Sequence, residues 1–335
     1  MSRILHLTES GGGVVEVIKN IAEIDKKNKH SLLVRRRDFS SNSINRSTDS
    51  LQIYFWEGNL FRGYLEYRKL SYRLNFDIVH FHSSRAGALR FLFRGVYRAY
   101  SPHCFAFERQ DISRHFKRIY ELIERKLLHQ TDGFLAVNEF ELSWAFQGNQ
   151  NMALSLYEYV EGSKSRNAVE KCIIGLGRIC VQKNPNRFIE IVNALRKESK
   201  NIKVIWIGEG DEDLTKNLLD NEITVTGWID SEGVDSYLEK GSILLHTATW
   251  EGMPIVFYEA WSRGLPIFAL SASYLEGISR VNVFNSDAEA VKKILAELRE
   301  PSINQNFVID RGSAESNLQK FYADIVNVGK EVASA

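Results

Sequence analysis

Ile243-Leu-Leu-His-Thr-Ala-Thr-Trp-Glu-Gly-Met-Pro-Ile-Val-Phe-Tyr-Glu-Ala260 is a short apolar run, a link, and the start of a helical pattern. Ile243–His246 reads as a buried strand. Pro254 presets a helical φ at a helix start, and Gly252 lets backbone N–H groups approach a ligand with no Cβ in the way. A strand feeding a helix in this manner puts a helix N-terminus at the C-terminal edge of a sheet, a cradle for an anion or a sugar. Glu251 lies before the helix and Glu259 inside it. The first could reach sugar hydroxyls and the second a ribose, although acids near a helix N-terminus are also favoured by its dipole alone.

Outward from this stretch, short apolar runs alternate with longer amphipathic ones, the pattern of βα units feeding parallel sheets, so the class is α/β. In the first half, Arg3–Leu7, Leu32–Val34, Ile53–Phe55, Ile78–Phe81, Val96–Tyr100 and Gly133–Val137 are expected as strands. Val14–Ile24 and Arg114–Leu128 are the clearest helices. The polar stretch Glu161–Asn167 reads as a linker. Beyond it, strands are expected at Cys172–Leu176, Lys203–Ile207, Ile223–Val225, Ile243–His246 and Pro266–Leu270, with helices starting near Asn184, Asp211, Ser231, Pro254 and Asp287. A last helical pattern covers Glu315–Val328. The domains are therefore 1–162 and 168–314, followed by a helix in 315–335.

The 335 residues suit two domains, and 44% hydrophobic with 25% charged residues is the composition of an ordinary globular protein. The absence of a long uncharged apolar run or a signal-like start predicts a cytoplasmic protein. Three cysteines without metal-ligand spacing support neither a disulfide framework nor zinc. The net charge of +1 hides an asymmetry: residues 1–165 carry 24 Lys and Arg against 18 Asp and Glu, the remainder 19 against 24. Arg85, Arg90, Arg94, Arg98, Arg109, Arg114, Lys117 and Arg118 form a basic run that could face anions. They lack an interleaved aromatic platform or a nucleic-acid motif, so no nucleic-acid partner is expected.

Gly175-Leu-Gly-Arg-Ile-Cys-Val-Gln-Lys-Asn-Pro185 places Arg178 and Lys183 in a loop after the second half's first strand, where two cations suit a diphosphate. With Ile-Gly-Glu-Gly at 207–210, Val-Thr-Gly-Trp at 225–228, and Glu251 and Glu259 eight residues apart, the chain resembles the family 4 retaining glycosyltransferases of the GT-B fold. In the first half, Gly11-Gly-Gly13, Phe76–Ser84, Tyr100-Ser-Pro-His103, Glu124-Arg-Lys-Leu-Leu and Ala136-Val-Asn-Glu139 fit the same resemblance.

That resemblance implies two Rossmann-like domains facing each other across a deep cleft, with the C-terminal helix crossing back to the N-terminal domain. It implies a donor site of Arg178 and Lys183 on the diphosphate, Glu259 on the ribose, and Glu251 with Gly252, Met253, Pro254 and Ile255 on the transferred sugar. Gly208, Glu209 and Trp228 belong near the nucleotide, Gly12 and Gly13 near the donor, and His103 reaches the sugar from the first domain. The implied catalytic set is His103, Arg178, Lys183 and Glu251. The implied reaction moves a hexosyl or N-acetylhexosaminyl group, from a UDP-sugar by preference, to a glycan or undecaprenyl-diphosphate-linked acceptor in bacterial surface polysaccharide synthesis. Arg85, Arg90, Arg94, Arg114, Lys117 and Arg118 are the expected membrane and acceptor side.

Asp211-Glu-Asp213 matches a metal-binding pattern but falls where a helix starts, so no metal or other cofactor is expected. Family members commonly carry a Gly-rich, Glu-containing loop where this chain has Ser271-Ala-Ser-Tyr-Leu-Glu-Gly277. The triplet Gly11–Gly13 is not G-x-G-x-x-G, which argues against a dinucleotide-binding dehydrogenase. A sugar-nucleotide epimerase on the same fold, or an inactive sugar-nucleotide-binding subunit, are the competing readings.

Overall fold

The structure is a computed structural model and describes residues 1–9, 13–36, 48–145, 151–154, 171–278, 280–301 and 311–334. The linker read at Glu161–Asn167, and Gly11 and Gly12, lie outside the described residues. Chain contacts separate two compact units: Met1–Glu108 with Ile112–Glu158 and Asp310–Ala335, and Arg109–Asp111 with Tyr159–Ile309.

The strands of the first unit are β1 (Arg3–Thr8), β2 (Lys29–Arg35), β3 (Leu51–Trp56), β4 (Ile78–His82), β5 (Tyr97–Ser101), β6 (Gly133–Ala136) and β7 (Asn151–Leu154). They pair in parallel in the order β3-β2-β1-β4-β5-β6-β7. The second unit has β8 (Cys172–Leu176), β9 (Lys203–Ile207), β10 (Thr224–Val225), β11 (Ile243–His246), β12 (Ile267–Leu270) and β13 (Val281–Phe284), in the parallel order β10-β9-β8-β11-β12-β13. Each sheet reverses direction beside its first strand, the doubly wound arrangement that opens a ligand crevice at the strands' C-terminal ends. Helices α1 (Gly13–Ile24), α2 (Leu60–Leu74), α3 (Ser84–Gly87), α4 (Arg114–Leu128) and α5 (Glu139–Ala145) flank the first sheet. The second is flanked by α6 (Pro185–Glu198), α7 (Glu212–Asp220), α8 (Ser231–Lys240), α9 (Ile255–Trp261) and α10 (Asp287–Arg299).

The final helix, α11 (Arg311–Ser334), belongs to the first unit. It lies so close to β6 that a Cβ on Gly133 would stand 2.4 Å from Ile325 Cδ1. Glycine at 133 is thus what lets Phe321, Tyr322 and Ile325, all buried, cover that face of the sheet. Burying a side chain of this size stabilises by roughly 1.5–3 kcal/mol. No described helix is long and apolar enough to cross a membrane.

Helices α2, α3 and α5 and strands β7 and β13 escape the sequence pattern. Helix α2 buries Gly63, Tyr67 and Leu70, a face made of a glycine, an aromatic and one aliphatic, so the apolar periodicity is faint. A Cβ at Gly63 would meet the Trp56 ring at 2.8 Å, which explains the glycine. Strands β7 and β13 each have an asparagine among their four residues, which weakens the apolar run that marks the equally short β6, β11 and β12.

Candidate functional site

In the second unit the backbone is shaped before any side chain is placed. Gly177 and Gly208 have φ of +133° and +136°, a region closed to other residues. They lie against one another: a Cβ on Gly208 would stand 2.3 Å from the Gly177 carbonyl oxygen, and one on Gly210 2.0 Å from that of Ile179. Ile179 N donates to Glu209 O at 2.9 Å and Asp211 N to Ile179 O at 2.8 Å, lacing the loop after β8 to the loop after β9. Trp206 Nε1 donates to Gly177 O at 2.9 Å.

The laced loop leads into a short turn, Val181–Lys183, and then Asn184, whose left-handed φ of 52° and side chain, accepting from Arg187 N at 3.3 Å, start α6 ahead of Pro185. A second set of bonds ties this turn to the segment after β11. Thr247 Oγ1 donates to Lys183 O at 2.9 Å, Thr249 N to Gln182 O at 3.0 Å, and Gln182 Nε2 to Trp250 O at 2.8 Å. The result is an ion pair between residues 68 positions apart: Lys183 Nζ stands 2.5 Å from Glu251 Oε1, both side chains largely buried.

Around this pair, Arg178 is exposed, Gly252 is buried, and Met253 packs against the core cluster of the second sheet. Pro254 is the N-cap of α9 and Ile255 its first residue. Glu259 lies further along α9, where burial pushes its carboxyl above the usual range, Arg263 opposes the shift and Asp235 adds to it. Glu209 is exposed, and Trp228 presents 62% of its surface next to Gly227. His246, at the end of β11, is buried against Phe257 and Tyr274. Burial and the Lys183 charge hold it neutral, and the sequence reading passed over it because a lone histidine closing an apolar run carries no motif.

Asp211 caps α7, its Oδ1 accepting from Leu214 N at 3.0 Å, with Glu212 and Asp213 in the first turn. The Ser271–Gly277 segment turns inward: Tyr274 is fully buried and its hydroxyl donates to Ala248 O at 3.4 Å, bracing the chain just before Trp250.

The first unit builds its own constellation at the C-terminal ends of β1, β4 and β5. Three non-glycine residues there adopt left-handed φ: Ser83 (91°), His103 (51°) and Cys104 (85°). Such conformations persist where surroundings enforce them, and they concentrate at functional sites. Ser83 Oγ donates to Glu9, lying 2.9 and 2.8 Å from its two oxygens. Glu141 in α5 accepts from Cys104 N at 2.7 Å and Val137 N at 3.0 Å, which holds the His103 turn in place. Burial pushes the Glu141 carboxyl up to about 8 against the two amides that favour its ionised form. The sequence reading missed Glu9 and Glu141, although Glu141 stands two residues beyond the quoted Ala136–Glu139. Gly13 opens α1.

The basic run is corrected by the structure at one position. Arg90 does not face an anionic surface; it is fully buried, its guanidinium 3.7 Å over the Tyr100 ring and 3.1 Å from Glu124 Oε2, while Tyr100 OH donates to Glu124 Oε1 at 2.7 Å. A buried guanidinium needs a carboxylate and a ring to replace its water, and Glu124 on α4 supplies the charge. Arg98 pairs with Asp132 at 3.1 Å. Arg85, Arg94, Arg114 and Arg118 are exposed and Lys117 is half-buried. The Arg90–Glu124 pair pins the segment near Phe91 to α4, whose Phe116, Ile119, Leu122 and Ile123 are exposed along one face at 59%, 50%, 66% and 39%.

Residues 170–300 match the family described as glycosyl transferases group 1. An uncharacterised 41.2 kDa protein of the cps region of Klebsiella pneumoniae is 25% identical, the alignment covering 87% of this chain and 88% of that protein. An Escherichia coli protein named UDP-Gal:alpha-D-GlcNAc-diphosphoundecaprenol alpha-1,3-galactosyltransferase is 26% identical over 59% of this chain and 58% of its own. Among solved structures, a sucrose-phosphate synthase from Thermosynechococcus elongatus superposes with a TM-score of 0.73 at 13% identity, covering 100% of this chain and 99% of that one.

Proposed function

We propose that this chain, whose residues 170–300 match glycosyl transferases group 1, is a GT-B glycosyltransferase and a family 4 retaining enzyme. In this reading it transfers a hexosyl or N-acetylhexosaminyl group from a UDP-sugar to an undecaprenyl-diphosphate-linked glycan, in surface polysaccharide synthesis on the cytoplasmic face of a membrane. The observation that carries the reading is the Lys183–Glu251 pair beside the glycine-laced loops. A cation and an anion held together at the strand ends offer one group to phosphate oxygens and the other to sugar hydroxyls.

Arg178 and Lys183 neutralise charge developing on the departing diphosphate, the kind of preorganised electrostatic help that is worth roughly 10²–10³ in rate per donor. Glu259 accepts from the ribose, Glu251 and the backbone at 252–255 orient the sugar, and His103 meets a substrate hydroxyl. The acceptor attacks on the face from which the nucleotide leaves. With the charge handled by side chains and a helix N-terminus, turnover persists in EDTA and in Asp211→Ala, and strict dependence on a divalent metal would refute this part.

The acceptor class draws support from the galactosyltransferase relative and from α4. Its four exposed apolar side chains, edged by Arg114 and Arg118, have the composition of a helix that lies in a lipid interface. Each nearby Lys or Arg adds about 1 kcal/mol on an anionic surface. Flotation with anionic vesicles, lost for neutral vesicles and for Phe116→Asp with Leu122→Asp, is expected; equal behaviour on both vesicle types would point to a soluble acceptor.

The donor is tested by a thermal-shift series with UDP, GDP, ADP and their sugars. A ligand at 100 times its Kd raises stability by about 2.7 kcal/mol, and UDP compounds are expected to do so. A shift with GDP or ADP alone would overturn the donor assignment, and conversion of donor in the absence of acceptor would favour an epimerase.

A further inference from the structure

The two members of the Lys183–Glu251 pair depend on each other. Among the described residues Lys183 Nζ has no other ion-pair partner, and Glu251 Oε1 is buried with no hydrogen bond to any other group. The side chains expose only 16% and 13% of their surface. The lysine stem crosses the loop after β8 at Gly177, where a Cβ would stand 2.9 Å from Lys183 Cε and 3.4 Å from Nζ. Glycine there leaves the amine lying over the backbone of the loop proposed to hold the diphosphate.

Both residues stand on braced backbone. Lys183 O accepts from Thr247 Oγ1, and Trp250 O, one residue before Glu251, accepts from Gln182 Nε2. The amine can turn toward a phosphate at the end of its own stem, but Glu251 is not carried along with it. Taking one partner from a buried pair leaves the other charge uncompensated, which costs more than the pair itself is worth. A ligand that draws off the amine must therefore bring a hydrogen-bond donor for Glu251 Oε1.

We propose that Glu251 determines specificity for the intact sugar nucleotide over the free nucleotide: a diphosphate draws Lys183 away at full strength only when a sugar hydroxyl arrives with it and takes the place of the amine at Oε1. The proposal rests on the donor site described under the function above. It gives the carboxylate a second effect, opposition to UDP itself. UDP carries no sugar hydroxyl to offer Oε1, and its terminal phosphate holds about one more negative charge at neutral pH than the phosphodiester of a sugar nucleotide. The same opposition hastens release of the nucleotide once its sugar has been transferred. Glu259, placed on the ribose in that reading, meets a group that UDP and its sugars share, so it has no part in the discrimination.

The test is titration calorimetry of the full chain with UDP, UDP methyl ester, UDP-galactose, UDP-glucose and UDP-N-acetylglucosamine. The methyl ester has the diphosphate charge of a sugar nucleotide and none of the sugar hydroxyls, so it separates the two parts of the argument. In the wild type the best sugar nucleotide is expected to bind about 10-fold or more tightly than either UDP or the ester. Glu251→Gln should bind UDP and the ester about 10-fold more tightly than the wild type and narrow their gap to the sugar nucleotide. Glu259→Ala should weaken all of them alike. A wild type that binds the ester as tightly as the best sugar nucleotide would overturn the proposal, and that measurement decides even if Glu251→Gln fails to fold. UDP binding that is weakened or unmoved in a folded Glu251→Gln would also overturn it, as would a Glu259→Ala variant whose ratios change as much as those of Glu251→Gln. Binding of UDP without preference for any sugar nucleotide sinks the proposal alone, whereas failure of every uridine nucleotide to bind removes the donor site and the proposal with it.

Discussion

Replacing Gly208 with alanine should separate the architecture of the donor site from its chemistry. The new Cβ would stand 2.3 Å from Gly177 O, and an ordinary contact begins near 3.4 Å, so the two loops must part by about 1 Å. Holding alanine at a φ of +136° adds about 1–3 kcal/mol of strain. Because Arg178 follows Gly177 directly and its backbone N is 3.7 Å from the same Cβ, the displacement reaches the loop proposed to hold the diphosphate. A misplacement of ~1 Å can cost about 10²-fold in rate. Gly227→Ala is the control: its φ of +71° is also left-handed, but a Cβ there has nothing within 4 Å. It should lose about 1–2 kcal/mol of stability and little else. Titration calorimetry with UDP and steady-state turnover on both variants make the comparison. If Gly208→Ala binds UDP and turns over as well as Gly227→Ala, close loop packing does not build the site and the reasoning fails.

Lys183→Ala should lower turnover by roughly 10²–10³ while the melting curve stays near wild type, and near-normal turnover would remove Lys183 from the diphosphate site. Burial pushes the Glu141 carboxyl from its ordinary 4.5 up to about 8, so the fold binds its proton more tightly than the unfolded chain does. Its contribution is therefore present at low pH and lost as pH rises from about 4.5 through 8, with a ceiling of about 5 kcal/mol. Urea midpoints of the wild type should fall over that range and those of Glu141→Gln should fall less, whatever the variant's absolute stability. Arg90→Ala strands a buried carboxylate and should cost about 3–5 kcal/mol, most of it recovered in Arg90→Met with Glu124→Leu and Tyr100→Phe, as measured by denaturant unfolding.

What the sequence discloses is set by how local each signal is. Cys172–Leu176 followed by Asn184-Pro185 is a strand, a turn and a helix start written in consecutive residues, and it is found in that order. The loop cations and the two glutamates were visible as types at spacings, but the bond between Lys183 and Glu251 depends on Thr247, Thr249 and Gln182 bridging two loops. Arg90 looked like one more surface cation because its partner is 34 residues away, on a helix that buries Glu124 beside Leu127 and Leu128. His6, His30, His80 and His82 are the extreme case: each lies in or beside an apolar run that already reads as a strand, and only the pairing register makes neighbours of them.

The last helix also sets an order of events. His80 and Tyr322 are separated by 242 positions, and β6 gains its cover from Phe321 and Ile325 only after the whole second sheet has been synthesised. The second unit draws its described strands from an unbroken span of chain and can close as it emerges from the ribosome, whereas the first must wait, with β6 uncovered on one face, for residues beyond 311. During that interval the buried histidines are open to water and free to take up protons. Acid or slow elongation should therefore trap the first unit ahead of the second.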